Sequence, residues 1–397
     1  MRNRPVIILF FTLVVIMLGF GIVIPILPFY VTRFGGGGSA MGGLMAIYGV
    51  MQFVFAPIWG SLSDRYGRKP ILMVGVLGNA IAQILYGFST QLWMLFAARA
   101  LAGILSSATL PTAMAYIGDS TDQSERGGKM GMIGAAMGLG MVVGPGLGGW
   151  MAHLSLSAPF FLAAGLSLLA LLLVFLLLPE SHAPSKVQPS TGKQSRLGLL
   201  LKALRSPVGV LFWMSFLISF GLTNFEGIFG LYAKLRFDFS PAQVGSVLTF
   251  IGIISAIVQG ALTGPATRRW GETTIVRIAL LGSALGFILM ILAQDFLQVL
   301  LTSGFFVLSN AMLNPSVAAL VSKRTTDEQG FTMGLNNSFL SLGRIAGPLW
   351  AGLVFDIRTF LPYLTGAVIM AIGFLISLSI AAESAPSKAL SSEPRRL

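Results

Sequence analysis

Apolar runs of about 20 residues, the length of helix that crosses a bilayer, recur along the whole of this chain of 397 residues. In hydrocarbon a backbone must bond within its own segment or within a closed barrel, and runs this long and continuously apolar select helices. Twelve spans are read, at 6–31, 42–62, 70–88, 92–117, 129–152, 157–178, 207–232, 242–263, 273–293, 297–320, 331–355 and 360–382. With 55% hydrophobic and 10% charged residues, no soluble packing could hide this much apolar surface from water. Arg2 and Arg4 precede a first run too long for a signal peptide, and no small-residue cleavage site follows it, so it reads as the first spanning helix.

The charges then orient the chain. Of 26 Lys and Arg, twenty fall at the termini or in the segments after spans 2, 4, 6, 8 and 10. The opposite segments hold four, Arg33, Lys234, Arg236 and Arg358, while Arg99 and Arg344 lie inside spans. Basic segments stay on the cytoplasmic side, so both termini are expected there. This pattern accounts for the net charge of +12 without a nucleic-acid partner; the partner is the bilayer. With no cysteine and only two histidines, the sequence offers neither a disulfide framework nor a thiolate or histidine metal centre. It also shows no nucleotide motif, catalytic triad or paired carboxylates, so no cofactor and no enzymatic activity are expected. The run Gly35–Gly38 lacks the strand–helix setting of a phosphate loop and reads as a flexible tether.

The chain repeats itself. Gly60 and Gly67 match Gly264 and Gly271, and Pro111 matches Pro315, all at an offset of 204 residues. Gly140, Gly144 and Pro145 match Gly343, Gly347 and Pro348 at an offset of 203. Two six-span halves follow, at 1–179 and 207–383, with a tail at 384–397. The segment 180–206, rich in Pro, Ser, Lys and Gln, reads as a solvated linker between them.

Between spans 2 and 3 lies GSLSDRYGRKP, residues 60–70, where Gly60 and Gly67 bracket Asp64 and Arg65, and Arg68 and Lys69 follow. This stretch resembles the loop between helices 2 and 3 of the major facilitator superfamily of transporters. The resemblance extends over nearly the whole chain and implies the superfamily's fold: all-α, twelve transmembrane helices in two pseudo-symmetric halves. It also implies a conformational latch. Asp64 is expected to meet the N-terminal end of span 11, near Thr332 to Asn336, and Arg68 to pair with Asp119. A carboxylate is favoured where unpaired N–H groups point at it. In the second half Arg268 stands where Asp64 stands, so no equal latch is expected there.

Three further motifs carry the resemblance to bacterial twelve-helix drug/proton antiporters. GLGMVVGPGLGG at 138–149, with Gly140, Gly144, Pro145, Gly148 and Gly149, resembles the antiporter signature of span 5; small residues also serve plain helix packing. LGFGIVIPILP at 18–28 places Pro25 and Pro28 near the outer end of span 1, as gating or packing bends. Arg99, followed by Gly103, matches a position linked to proton coupling in relatives, with a structural hydrogen-bond hub as the other reading.

Glu226 in span 7 is the one acid well inside the predicted membrane. Burial disfavours its charged form, so it can exchange a proton. The other reading is a fixed ion pair with Arg344 or Arg99. Around it a substrate cavity is expected from Tyr48, Gln52, Phe53, Asn224, Phe225, Phe229, Tyr232, Asn310, Asn336, Asn337 and Phe339. Span 10 offers Asn310 where relatives often carry a second acid, so coupling rests on one carboxyl. The expected activity is proton-coupled export of lipophilic, cationic drugs by a monomer in the bacterial inner membrane. The alternative is export of a sugar, lipid or other metabolite.

Overall fold

The computed structural model describes residues 4–181, 209–325 and 329–380. Twelve helices among them are long and apolar enough to cross a membrane. They are α1 (Arg4–Arg33), α2 (Gly38–Tyr66), α3 (Arg68–Gly87), α4 (Leu92–Ser120), α5 (Gln123–Met151), α6 (Ala158–Leu177), α7 (Gly209–Phe237), α8 (Pro241–Trp270), α9 (Glu272–Leu292), α10 (Phe296–Arg324), α11 (Gln329–Ile357) and α12 (Leu361–Leu378). The face on which α1 begins and α12 ends is here called proximal, the opposite one distal. Residues 182–206 of the expected linker and the tail 384–397 lie outside the described residues.

Each expected span is present, and the chief differences are at the connections. The stretch 60–70, read as a loop, is helical on both sides of one residue: α2 runs to Tyr66 and α3 starts at Arg68. Gly67 makes the reversal at φ +99°, a conformation that a side chain would strain, and Gly271 does the same at φ +77° between α8 and α9. Gly38, read as part of a flexible tether, is the first residue of α2. The breaks inside helices also repeat. α4 narrows to a 3₁₀ turn at Ser106–Ala108, and α10 is interrupted at Ala311 and Met312. Each break lies about one turn before a proline, Pro111 or Pro315, whose ring removes a hydrogen-bond donor and crowds the preceding turn.

Packing follows the same two-fold logic. α1 packs on α5 as α7 packs on α11, and α3 packs on α6 as α9 packs on α12. The first pairing is glycine-mediated: a Cβ on Gly140 would lie 2.7 Å from Val14 O, and one on Gly144 2.8 Å from Leu18 O. In the second half a Cβ on Gly343 would lie 2.6 Å from Phe216 O, and one on Gly347 2.6 Å from Phe220 O. Small residues let the backbones approach where lipid supplies no hydrophobic drive between helices. Large apolar side chains such as Leu172, Phe175, Leu285 and Leu292 instead point outward, the surface a bilayer would cover.

The halves meet through α2 with α11 and α5 with α8. These contacts are tight at the distal ends. A Cβ on Gly38 would lie 2.6 Å from Gly352 O, and Gly42 leaves no room for one against Pro348. Gly149 abuts Pro241, and Gly245 abuts Pro145. Pro28 of α1 packs across the seam on Gly230 of α7. Toward the proximal end the same helices stand apart: Gly60 of α2, Gly131 and Gly134 of α5, Gly260 of α8 and Gly334 of α11 have open space where a side chain would be. The molecule is closed distally and open proximally.

Candidate functional site

A cavity of about 780 Å³ fills the proximal gap between the halves. α2 supplies Gly49, Gln52, Phe53, Ala56, Pro57 and Gly60, and α4 supplies Ser107, Leu110, Pro111 and Met114. Met137 of α5 and, from α11, Phe331, Asn337, Ser338, Ser341 and Arg344 complete the main walls. The proline pair of breaks places Pro111 at this wall, so the irregular backbone lies where it borders a cavity rather than lipid. Among the lining residues Arg344 is the one with a charged side chain.

Of the expected cavity residues, Gln52, Phe53 and Asn337 are on the lining. Most of the others are not, and helical geometry explains why. Residues adjacent in sequence point about 100° apart on a helix, so neighbours of a cavity residue face elsewhere. On α11 the cavity face carries Gly334, Asn337, Ser338, Ser341 and Arg344, whereas Asn336 and Phe339 lie on the buried face against α7. Asn336 Oδ1 accepts from Ser215 Oγ at 2.6 Å, and Phe339 stacks on Phe212 at 5.4 Å between ring centres. On α7, Asn224 donates from Nδ2 to Pro362 O at 2.7 Å, Phe225 packs between Phe229 and Phe306, and Tyr232 packs on Tyr363. Asn310 is buried at the break in α10. Asn224, Phe225, Phe229, Tyr232, Asn310, Asn336 and Phe339 therefore build the core of the second half, not the cavity wall. Tyr48 faces Phe20 and Arg99.

Glu226 is half-buried on α7 and is not among the cavity's lining residues; it lies just distal to them, since Thr223 packs on Gly343 and Gly347 of α11 and Gly227 on Pro348, whereas the α11 lining ends at Arg344. Among the described residues its carboxylate has no hydrogen bond and no ion pair within 4 Å, so the fixed pair with Arg344 or Arg99 is not formed. Arg344 is the cation whose field reaches it.

Arg99 is 1% exposed and is not among the cavity's lining residues. Its guanidinium sits 5.1 Å from the centre of the Phe20 ring and 4.9 Å from that of Tyr48. Nε donates to Leu44 O at 3.3 Å, and a terminal nitrogen reaches Met45 Sδ at 3.1 Å. A planar cation between ring faces ties α1, α2 and α4 together.

At the proximal end, Arg68 donates from Nε to Asp119 Oδ2 at 2.8 Å and is also bonded to Asp64 and Ser63. Arg65 lies over the ring of Tyr66, and Gly60 lines the cavity. Among the described residues Asp64 has no bond to α11. Sequence reasoning missed Glu180: its carboxylate accepts from the backbone N–H of Arg68 at 2.9 Å and of Lys69 at 3.1 Å, capping α3. Its signal was the empty cap, because Gly67 has no side chain to serve those donors. Gly140, Gly144 and Gly148 of α5 face α1, while Gly149 and the Pro145 carbonyl face α8. Among the described residues no group of three His, Asp or Glu side chains gathers as for a metal ion.

A family profile described as Major Facilitator Superfamily matches residues 9–263 and, again, 211–396. The chain belongs to the Major Facilitator Superfamily. Multidrug resistance protein 1 of Bacillus subtilis is 32% identical over 379 residues, spanning 95% of this chain and 96% of that one. Quinolone resistance protein NorA of Staphylococcus aureus is 29% identical over 371 residues, 94% of each chain. Among solved structures, the bacterial homologue of the human lysosomal transporter Spinster, in an inward-facing and occupied conformation, superposes with a TM-score of 0.79 at 12% identity, over 95% of this chain and 96% of that one. The chain is thus a multi-pass membrane transporter of the superfamily fold.

Proposed function

We propose that this transporter exports lipophilic, cationic drugs in exchange for protons, by alternating access, with its proximal face in the cytoplasm. The family and the relatives' names support drug efflux. The observation that carries the coupling is Glu226: a half-buried carboxyl with no hydrogen bond or ion pair among the described residues, beyond the distal limit of the cavity lining, which ends on α11 at Arg344. Ionised, it attracts a cation; protonated, it does not. A unit charge 4 Å away in a medium of effective dielectric about 20 is worth at most about 4 kcal/mol, roughly a thousandfold in affinity. Proton and cation therefore exclude one another at this site, which is the condition for exchange. The basic proximal segments support a cytoplasmic orientation of that face by the charge rule, and in that orientation the open cavity loads from inside.

A second reading, export of a sugar, lipid or other metabolite, draws on Arg344 as the charged side chain of the lining. Everted vesicles with an imposed pH gradient separate the two. Wild type should move a lipophilic cationic dye with the gradient, and Glu226→Gln should lose that movement while keeping its elution profile in detergent. Dye transport that is equally fast in both would remove Glu226 from the mechanism. Indifference of the wild type to cationic dyes would favour the metabolite reading.

A further inference from the structure

The distal seam holds a contact that neither the motifs nor the cavity accounts for. Asp356, in the last turn of α11, reaches across to the first half. Its Oδ1 accepts from the backbone N–H of Gly38 at 2.6 Å, and its Oδ2 from that of Ser39 at 2.8 Å. These are the first two donors of α2. The helix cannot cap itself, because its N-cap residue is Gly37, which has no side chain to accept from them. Gly38 also lets the two backbones meet: a Cβ there would lie 2.6 Å from Gly352 O and 2.8 Å from Phe355. The glycine run thus brings the start of α2 within reach of a carboxylate carried by the other half.

The placement is unfavourable for Asp356 on its own helix. A carboxylate in a helix's last turn faces the negative end of the dipole, so it gains by standing at another helix's N-terminus. Asp64 is similarly placed in the last turn of α2, two residues before its end at Tyr66. α2 and α11 run antiparallel, so each helix carries a carboxylate at its C-terminal end, on the face where the other helix begins. In this conformation the distal one is engaged, and Asp64 is turned to Arg68 of its own segment.

We infer that Asp356 is the distal latch of the transport cycle: its carboxylate bound to the Gly38 and Ser39 amides holds the proximally open state. It is a positioning residue, acting through the α2–α11 seam and not through substrate. The inference rests on alternating access but not on what is carried. Opening the distal face separates α2 from α11 and breaks both bonds. Two charge-assisted bonds to a helix N-terminus bias the equilibrium by about tenfold.

Because the chain has no cysteine, single introduced cysteines report the state. Thr249→Cys sits in the distal α5–α8 seam, where Thr249 Oγ1 donates to Val142 O at 3.1 Å, and Ser338→Cys lines the proximal cavity. In nanodiscs, where both faces are accessible, Asp356→Asn should raise the rate of maleimide labelling at position 249 roughly tenfold relative to position 338. Asp356→Glu should restore much of the parent ratio. Asp64→Asn should move the ratio the other way. An unchanged ratio in Asp356→Asn, with the protein monodisperse, overturns the latch; so does an equal rise at both positions, which would report loosening and not a shift of state. Labelling needs no transported compound, so failure of the drug/proton reading leaves this test intact.

Discussion

Arg99 and Glu226 are both ionisable residues in spans, and the sequence marked both as costly to bury. It could not show that their surroundings differ. Arg99 is enclosed by Phe20 of α1 and by Tyr48, Leu44 O and Met45 of α2, fifty or more residues away in sequence. Glu226 has no such company. The cavity shows the same limit on a finer scale. Reading it as the sequence neighbours of Glu226 gathered Asn224, Phe225 and Phe229, which the helical turn directs into the core. Gln52, Phe53 and Asn337 were legible because they share a face with small residues that leave room. The stacked environment of Arg99 makes a prediction that its charge alone does not. Lys keeps the charge but cannot lie flat between two rings. Arg99→Lys should lower stability by about 1–3 kcal/mol, read as a fall of several degrees in the detergent melting midpoint. If Lys melts with wild type, the ring contacts are incidental and charge alone matters.

Helix by helix, the sequence was most informative where one residue type has one physical use. Gly67 and Gly271, at the repeat offset, mark the two one-residue reversals, and Pro111 and Pro315 mark the breaks in α4 and α10. It was least informative for glycines in a run, since packing, bending and open space are indistinguishable in one dimension. The stretch 138–149 contains both packed and open positions. Gly144 is pressed on α1, its added Cβ 2.8 Å from Leu18 O and 2.9 Å from Gly21 Cα, whereas Gly138 faces open space. The atoms facing Gly144 are backbone, which cannot swing away as a side chain can. Gly144→Ala should therefore force α1 and α5 apart and cost about 1–3 kcal/mol, while Gly138→Ala should be neutral or slightly stabilising through helix propensity. Melting midpoints of the two variants provide the check. Equal effects would mean that the motif acts as a uniform flexible segment and not as a packing face.

For the whole molecule, the repeat offsets predicted two related halves, and the basic segments predicted a common side for the termini. Neither could reveal which end is closed, because sealing depends on pairs such as Gly38 with Gly352 and Gly149 with Pro241, drawn from different halves. In the structure the seal is distal, and transport by alternating access requires it to break. The α5–α8 seam offers a direct way to prevent that. A Cβ on Gly146 would lie 3.6 Å from the Cβ of Thr249, within the range a disulfide needs. The pair Gly146→Cys with Thr249→Cys, the only thiols in the chain, should form a bond under mild oxidation and hold the distal face shut. Transport should then stop and return on reduction, while a cysteine-free parent is unaffected by either treatment. A bulk effect of oxidant would strike both proteins alike. Continued transport by a fully cross-linked protein would show that α5 and α8 stay together throughout the cycle. The opening would then have to occur along α2 and α11 alone.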